Sequence, residues 1–236
     1  MPSKTSSRFP VSPGGEPSRP IRSWVRSSPG THLWLAVIAI TSLVIALSPD
    51  RLERYLLHRN SSNLFELSHH PLRALLSSAF WIENPESLLL YVVLFEVLHA
   101  PVERWLGTVK WLVVVATAHV AATLISQEVV LLAIRDQHVP RSMAHVVDIG
   151  VSYGLAASAG ILTYRLPRPW RWLYLAGAVA FFAVPLVTNR TYTDLGHAIS
   201  LVIGLAFWPL TRAAGPGPGP GPGRKPLVGG GEPGAH

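Results

Sequence analysis

Long apolar blocks separate short polar segments along most of this chain, and longer polar tails lie at both ends. A bilayer core of about 30 Å is crossed by about twenty mostly apolar helical residues. Six blocks come close to that length and predict six transmembrane helices. Two of them are weaker, since one contains Glu96 and His99 and the other is rich in Gly, Ala and Ser. The predicted spans are His32–Ser48, Glu86–Trp105, Trp111–Ile134, Val146–Tyr164, Trp172–Thr188 and Thr193–Trp208.

The same pattern divides the chain into three regions. Residues 1–30 are predicted to be a disordered basic tail, 31–212 a transmembrane domain, and 213–236 a disordered Gly/Pro-rich tail. The first apolar block favours an uncleaved helix over a signal peptide, because a long polar segment precedes it and no small-x-small cleavage site follows Ser48. An apolar stretch in the long connector Pro49–Pro85, Leu72–Trp81, is too short to cross and predicts an interfacial or re-entrant piece on the outer face.

Composition and charge agree with a membrane protein. Hydrophobic residues make up 49% of the 236 positions and charged residues only 14%, which is too apolar for an ordinary soluble domain. The net charge of +7 lies in tails and short loops, so we expect no nucleic-acid partner. Thirteen of the twenty Lys and Arg lie on one side, which predicts a multi-pass protein of the plasma membrane with both termini in the cytoplasm. The alternative of five spans would put the C-terminal tail outside and weaken this asymmetry.

Ionisable side chains inside predicted spans are candidate functional residues, because burying them in lipid is costly. Asp148 and Asp194 start their helices and are expected to cap free N–H groups. The other candidates are Glu96, His119, Glu128 and His197, with Ser152 among the hydroxyls.

Two stripes of small residues predict a close helix pair. Ser152, Ala156 and Gly160 share one face of the fourth predicted span, and Ser200 and Gly204 lie near one face of the sixth together with His197. Packing the stripes together would bring the Ser152 hydroxyl to the His197 imidazole. Such a pair can act as nucleophile and general base, or the serine can simply be a packing residue and the histidine an interhelical hydrogen-bonding group.

From Arg73 to Pro209 the sequence resembles the rhomboid family of intramembrane serine proteases. Arg73-Ala-Leu-Leu-Ser-Ser-Ala-Phe80 and Glu103-Arg-Trp-Leu-Gly107 look like its first-loop and second-helix motifs. Gly150-Val-Ser152 with Gly160, and Gly196-His197 with Gly204, look like its serine and histidine motifs. The resemblance implies an all-α, six-helix membrane bundle with a long outer first loop, Ser152 as nucleophile and His197 as base.

Several positions depart from the family pattern. Tyr153 stands where a glycine follows the serine, Ala156 replaces an aromatic residue that packs on the histidine, and Ser200 replaces a glycine. The second-helix residues that help to hold the oxyanion correspond to Ser87 and Tyr91. Oxyanion stabilisation or support is therefore expected from Tyr91, Ser87 and Gly150, or from the Ser152 N–H.

Three functions stay open on the sequence. The first is a serine endopeptidase that cleaves membrane-anchored proteins near the outer leaflet, and the second is an inactive relative that binds transmembrane segments as a scaffold or adaptor. The third is a small transporter or channel using Glu96, His119 and Glu128, although His119 and Glu128 are predicted on opposite sides of their helix. Membrane lipids and transmembrane or membrane-anchored proteins are the expected partners. No cofactor or metal is expected, since no carboxylate completes a set with His58, His69 and His70.

Overall fold

A computed structural model of the protein describes residues 18–212, and this part of the chain is helical with no β-strand. Single turns of 3₁₀-helix lie at Pro85–Ser87, Arg141–His145 and Thr163–Arg165, and a π-helical turn lies at Phe95–His99. The α-helices are α1 (Ser18–Ser27), α2 (Pro29–Ala46), α3 (Asp50–Arg59), α4 (Leu64–His69), α5 (Pro71–Ser78), α6 (Leu88–Leu94), α7 (Ala100–Leu106), α8 (Thr108–Arg135), α9 (Val151–Leu162), α10 (Trp170–Thr188), α11 (Tyr192–Ala206) and α12 (Trp208–Arg212).

Five helical segments of the described chain are long and apolar enough to cross a membrane. They are Pro29–Ala46, Pro85–Leu106, Thr108–Arg135, Trp170–Thr188 and Tyr192–Arg212. The predicted count of six spans differs from this at Val146–Tyr164, where α9 has only 12 residues. At 1.5 Å per residue that helix extends about 18 Å, which is shorter than the apolar core of a bilayer.

Helix α9 can be short because protein surrounds it. Every residue of α9 except Ser152 is buried, and its neighbours are α8 and α11. Non-helical backbone at membrane depth is tolerated where protein groups satisfy its hydrogen bonds. Here the Asp148 carbonyl accepts from the Ser62 N–H at 2.9 Å, and the Gly150 N–H donates to the Ser78 carbonyl at 3.1 Å. The first loop thus supplies the hydrogen bonds that a longer helix would have made.

That first loop is itself helical, consisting of α3, α4 and α5. The stretch predicted to be interfacial, Leu72–Trp81, includes most of α5. Leu72 and Leu76 are exposed while Ala74 and Ser78 are buried, so α5 places one face against the bundle. The His119 ring nitrogen Nε2 lies 2.8 Å from the Leu75 carbonyl and joins α5 to α8.

The N-terminal region differs from the predicted disordered tail of 1–30. Residues 18–27 form α1, and the first long helix starts at Pro29 rather than His32. Trp24 packs edge-on against His32, with ring centroids 4.5 Å apart, so the end of α1 contacts α2. Residues 1–17 and the predicted tail 213–236 lie outside the described residues.

The second long helical segment is interrupted by its π-helical turn just before Pro101. Proline has no N–H to continue the helical ladder, and π-turns often accompany such interruptions. His99, at the end of the turn, is completely buried. Its Nδ1 accepts from the Trp111 indole at 3.1 Å and lies 2.8 Å from Ser158 Oγ. The turn therefore places a polar ring where α8 and α9 can both bond to it.

Glu103 anchors the start of the first long helix. Its carboxylate accepts from the Gly30 N–H at 2.8 Å, from the Thr31 N–H at 2.7 Å and hydroxyl at 2.6 Å, and from the Thr108 hydroxyl at 2.7 Å. The N–H groups of a helix's first turn have no partner within the helix, so a carboxylate there satisfies them and complements the helix dipole. One buried carboxylate thus joins α2, α7 and α8.

We expect Glu103→Gln to destabilise the fold by about 2–3 kcal/mol. Both carboxylate oxygens of Glu103 accept hydrogen bonds, and the amide NH₂ group of glutamine would place a donor where one of them accepts. Glu128→Gln is the matched control, since Glu128 is exposed on α8, and it should change stability by no more than about 0.5 kcal/mol. The measurement is reversible unfolding in mixed micelles followed by circular dichroism. Equal stability of the two variants would contradict this role of Glu103.

Candidate active site

Ser152 and His197 meet in the structure as the two small-residue stripes predict. Ser152 is the second residue of α9, and His197 lies in the second turn of α11. The distance from Ser152 Oγ to His197 Nε2 is 2.8 Å. The hydroxyl can donate to Nε2 when the ring carries its proton on Nδ1. Ser152 is also the one residue of α9 that is not buried, so the hydroxyl reaches the surface of a cavity.

Close backbone approach between α9 and α11 produces this meeting. A Cβ placed on Gly204 would lie 2.1 Å from the Ala157 carbonyl oxygen, and one on Gly160 would lie 2.5 Å from the Leu201 carbonyl oxygen. Neither position has room for a side chain, because the backbone of the facing helix occupies that space. Ala156 and Ser200, also predicted on these stripes, are fully buried. The two helices run parallel, since later residues of α9 meet later residues of α11.

The start of α11 is fixed by a capping box. The Thr191 hydroxyl accepts from the Asp194 N–H at 3.1 Å and donates to the Asp194 carboxylate at 2.6 Å. The carboxylate also accepts from the Thr191 N–H. This confirms the predicted capping role of Asp194. The capping box fixes the first turn of α11, and it therefore also fixes the position of His197 in the following turn.

A cavity of about 630 Å³ opens beside the serine and histidine. Its walls come from α6, α10 and the first turns of α9 and α11. Most of the lining is apolar, and Ser87 and Tyr91 contribute the polar groups opposite the pair. The lining residues are Ser87, Leu90, Tyr91, Leu94, Leu98, Ser152, Leu155, Ala180, Phe181, Phe182, Val184, Pro185, Asp194 and His197. Helix α10, which forms one wall, has no buried residue.

Residues 23–216 match a family model described as rhomboid-like protein. The chain belongs to the rhomboid-like protein family. Together with the long apolar helices, this makes it a multi-pass membrane protein and confirms the resemblance drawn from its motifs. Neither the curated proteins nor the solved structures contain a match to the chain.

Gly150 in this rhomboid-like protein leaves space for a histidine. A Cβ on Gly150 would lie 2.0 Å from His119 Cε1, so no other residue fits there without displacing the ring. His119 Nδ1 lies 3.1 Å from the Gly150 carbonyl oxygen. Because the Gly150 N–H donates to the Ser78 carbonyl, it is not free to hold an oxyanion. The expected support from Gly150 is therefore structural, through its carbonyl and its missing side chain.

Tyr153 takes the place of the expected glycine and fills the space next to His197. Its ring is fully buried and stands edge-to-face with the imidazole at a centroid distance of 5.3 Å. Gly196 on α11 makes room, since a Cβ there would lie 2.6 Å from the ring. Tyr153 therefore supplies the aromatic contact that Ala156 lacks. The sequence showed the substitution, but nothing in it showed that the ring packs on the histidine.

Asp148 has a different role from the one predicted. Gly150 precedes the first residue of α9, and no side chain caps that helix, so the expectation that Asp148 caps it is wrong. The Asp148 carboxylate instead accepts from the Tyr153 hydroxyl at 2.9 Å and from the Gln127 amide at 3.0 Å. Its backbone N–H donates to the Ser61 hydroxyl at 2.8 Å. A carboxylate with these donors satisfies the need of a buried charge for hydrogen-bonding partners.

The remaining polar candidates do not gather at one place. Glu96 Oε1 lies 3.1 Å from His32 Nε2, His119 faces the Leu75 and Gly150 carbonyls, and Glu128 is exposed. In the part of the chain that the structure describes, no hydrogen bond or ion pair joins any two of these three groups. Within residues 18–212 no group of three or more His, Asp and Glu side chains is placed to hold a metal ion.

We expect Gly204→Ala to destabilise the protein by about 1–3 kcal/mol, because the added methyl meets backbone that cannot move aside without separating the helices. Gly177→Ala is the matched control, since a Cβ on Gly177 in α10 meets nothing within 4 Å. There the substitution should be neutral or stabilise the helix by up to about 1 kcal/mol. Unfolding in mixed micelles measures both. The close approach would be contradicted if both variants unfolded like the wild type.

Proposed function

We propose that this rhomboid-like protein is a serine endopeptidase that cleaves membrane-anchored proteins, with Ser152 as nucleophile and His197 as general base. The observation that carries the proposal is the 2.8 Å contact between Ser152 Oγ and His197 Nε2 at the wall of a cavity. Geometry of this kind is the first requirement for a nucleophile and its base.

The reaction proceeds by passing a proton between Ser152 and His197. Ser152 Oγ attacks the substrate's peptide carbonyl carbon while its proton passes to His197 Nε2. The tetrahedral oxyanion collapses, the C–N bond breaks, and the imidazolium returns the proton to the leaving amine. Water then attacks the acyl-enzyme and gives one proton to His197, which returns it to Ser152 as the ester bond breaks. This releases the new carboxyl end of the substrate.

The oxyanion needs donors beside Ser152. The Ser152 N–H belongs to the first turn of α9, whose N–H groups have no partner four residues back within the helix. The positive end of the helix dipole also favours negative charge there. Tyr91 and Ser87 line the same cavity and supply two hydroxyl donors. We therefore assign oxyanion stabilisation to the Ser152 N–H, assisted by Tyr91 and Ser87.

The shape of the cavity supports a substrate that arrives from within the membrane. Its walls are formed by α6 and α10, and the leucine and phenylalanine side chains that line it suit an apolar transmembrane segment. Helix α10 has no buried residue, so few contacts oppose its displacement by a substrate. The Lys and Arg distribution supports a topology with both termini in the cytoplasm and the start of α9 near the outer leaflet. We assign the protein to the plasma membrane.

A second candidate is an inactive relative that binds transmembrane segments as a scaffold or adaptor. It is favoured because Ser87 and Tyr91 replace the residues that help to hold the oxyanion in the family, and because the Gly150 N–H is engaged by the Ser78 carbonyl. Losing one oxyanion donor costs about 10²–10³ in rate. The binding cavity would serve this function without any chemistry.

Labelling of the full chain with a fluorophosphonate tests the first candidate. We expect the wild type to be labelled, and Ser152→Ala and His197→Ala to lose at least about 10³ in labelling rate, because each removes one half of the pair. Ser158→Ala is the matched control. Ser158 also lies 2.8 Å from a histidine nitrogen, on His99, but it is fully buried and does not line the cavity. It should keep wild-type labelling.

Two further outcomes separate the candidates. An unlabelled wild type whose membrane-protein partners survive both Ser152→Ala and His197→Ala in pull-down experiments would support the binding function. Labelling that persists in Ser152→Ala would contradict the assigned nucleophile. Cleavage of a membrane-anchored partner that stops in either variant would reject the inactive relative.

A further inference from the structure

We propose that Tyr153 is a positioning residue for the general base, and that its hydrogen bond to Asp148 holds its ring against the His197 imidazole. The inference rests on the proposed endopeptidase function and concerns what replaces a third triad member there. In a three-residue triad a carboxylate bonds to the second ring nitrogen and orients the base. The nearest carboxylate to His197 on its own helix, Asp194, is engaged in the capping box.

The imidazole of His197 instead contacts two aromatic rings. The Tyr153 ring lies at a centroid distance of 5.3 Å, with the ring planes at 69°. Phe182 lies 5.9 Å away, with the planes at 39°. Phe182 comes from α10, which has no buried residue, whereas Tyr153 is fully buried in α9. Tyr153 is therefore the fixed wall that limits rotation of the imidazole.

The Tyr153 ring is itself held at its far end. Its hydroxyl donates to Asp148 Oδ1 at 2.9 Å, and Asp148 Oδ2 accepts from Gln127 Nε2 at 3.0 Å. The Asp148 carbonyl also accepts from the Ser62 N–H at 2.9 Å. The ring is thus fixed to α8 and to the first loop, and it cannot rotate without breaking its hydrogen bond to Asp148.

The geometry of α11 fits this arrangement. Gly196 directly precedes His197, and a Cβ on Gly196 would lie 2.7 Å from the Tyr153 hydroxyl oxygen as well as 2.6 Å from the ring carbons. The tyrosine therefore occupies the space between α9 and α11 where the nucleophile and the base meet. A smaller residue at position 153 would leave the imidazole free to turn away from Ser152.

The test separates a change in rate from a loss of folded protein. Fluorophosphonate labelling of the full chain gives a rate constant and a final labelled fraction for each variant. Tyr153→Phe keeps the ring and removes its hydrogen bond, and Asp148→Asn weakens the same bond by exchanging the carboxyl group that accepts it for an amide. We expect each to lower the rate constant about tenfold while the labelled fraction stays at the wild-type value. The double variant should be no slower than the slower single variant, because both remove one contact.

Tyr164→Phe is the matched control. The Tyr164 hydroxyl donates to the Leu205 carbonyl of α11 at 2.8 Å, so this variant also removes a tyrosine bond in the bundle but far from Ser152. It should keep the wild-type rate constant. Tyr153→Leu removes the ring altogether and should be slower than Tyr153→Phe.

Three results would overturn the inference. The first is a wild-type rate constant in Tyr153→Phe, and the second is a fall in labelled fraction alone, shared with Tyr164→Phe, which is the mark of a purely structural role. In both, Ser152-dependent labelling of the wild type would leave the proposed endopeptidase standing. The third is absence of labelling in the wild type, which would remove the proposed function and the positioning role together.

Discussion

The direct contact between the backbones of α9 and α11 is the constraint on which the site depends. Lipid tails give apolar helices little hydrophobic reason to associate, so membrane helices depend on close van der Waals packing. Gly160 and Gly204 permit that packing because neither has a side chain to separate the helices. Once Gly204 lies on Ala157, the parallel course of the two helices carries Ser152 to His197 about two turns earlier. The Ser–His contact is thus a consequence of helix packing and needs no loop to form it.

Because α9 is short, the backbone before it needs hydrogen-bonding partners, and other parts of the bundle supply them. Residues 146–150, directly before α9, are not helical, and their carbonyl and N–H groups would be unsatisfied in a bilayer. Ser61, Ser62 and Ser78 from the first loop bond to Asp148 and Gly150. The same segment ends at Gly150, against which His119 packs. The long first loop therefore completes the structure immediately before the nucleophile.

Most of the fold could be predicted from the sequence, because apolar blocks and small-residue stripes are local patterns. The five long helices, the pairing of Ser152 with His197 and the capping role of Asp194 all follow from such patterns. The short length of α9 could not be predicted in this way. Apolar content gave the same signal for a short helix enclosed by protein as for a long helix that faces lipid, and only the protein surrounding α9 distinguishes them.

The errors at the site have a related cause. Asp148 looked like a helix cap because it precedes an apolar block, yet its carboxylate bonds to Tyr153 and to Gln127 on α8. Tyr153 departs from the glycine of the family pattern, and Gly196, 43 positions along the chain, provides the space that its ring fills. Asp148 and Tyr153 are only five positions apart, but Gln127 and Gly196 come from other helices, and single positions carry no sign of these pairings. The Ser–His pair could therefore be predicted from the sequence, but the contacts that surround the pair could not.

The most direct test of the central claim uses the absence of cysteine from the chain. Ser152→Cys introduces a single thiol, and a thiol beside an imidazole is converted to the reactive thiolate at neutral pH. We expect iodoacetamide to alkylate this variant at pH 7 at least about tenfold faster than Ser152→Cys combined with His197→Ala. Removing the ring opens access to the thiol, so a slower reaction in the double variant reports lost chemistry. Equal rates, or a faster reaction without the histidine, would contradict the placement of Ser152 beside His197.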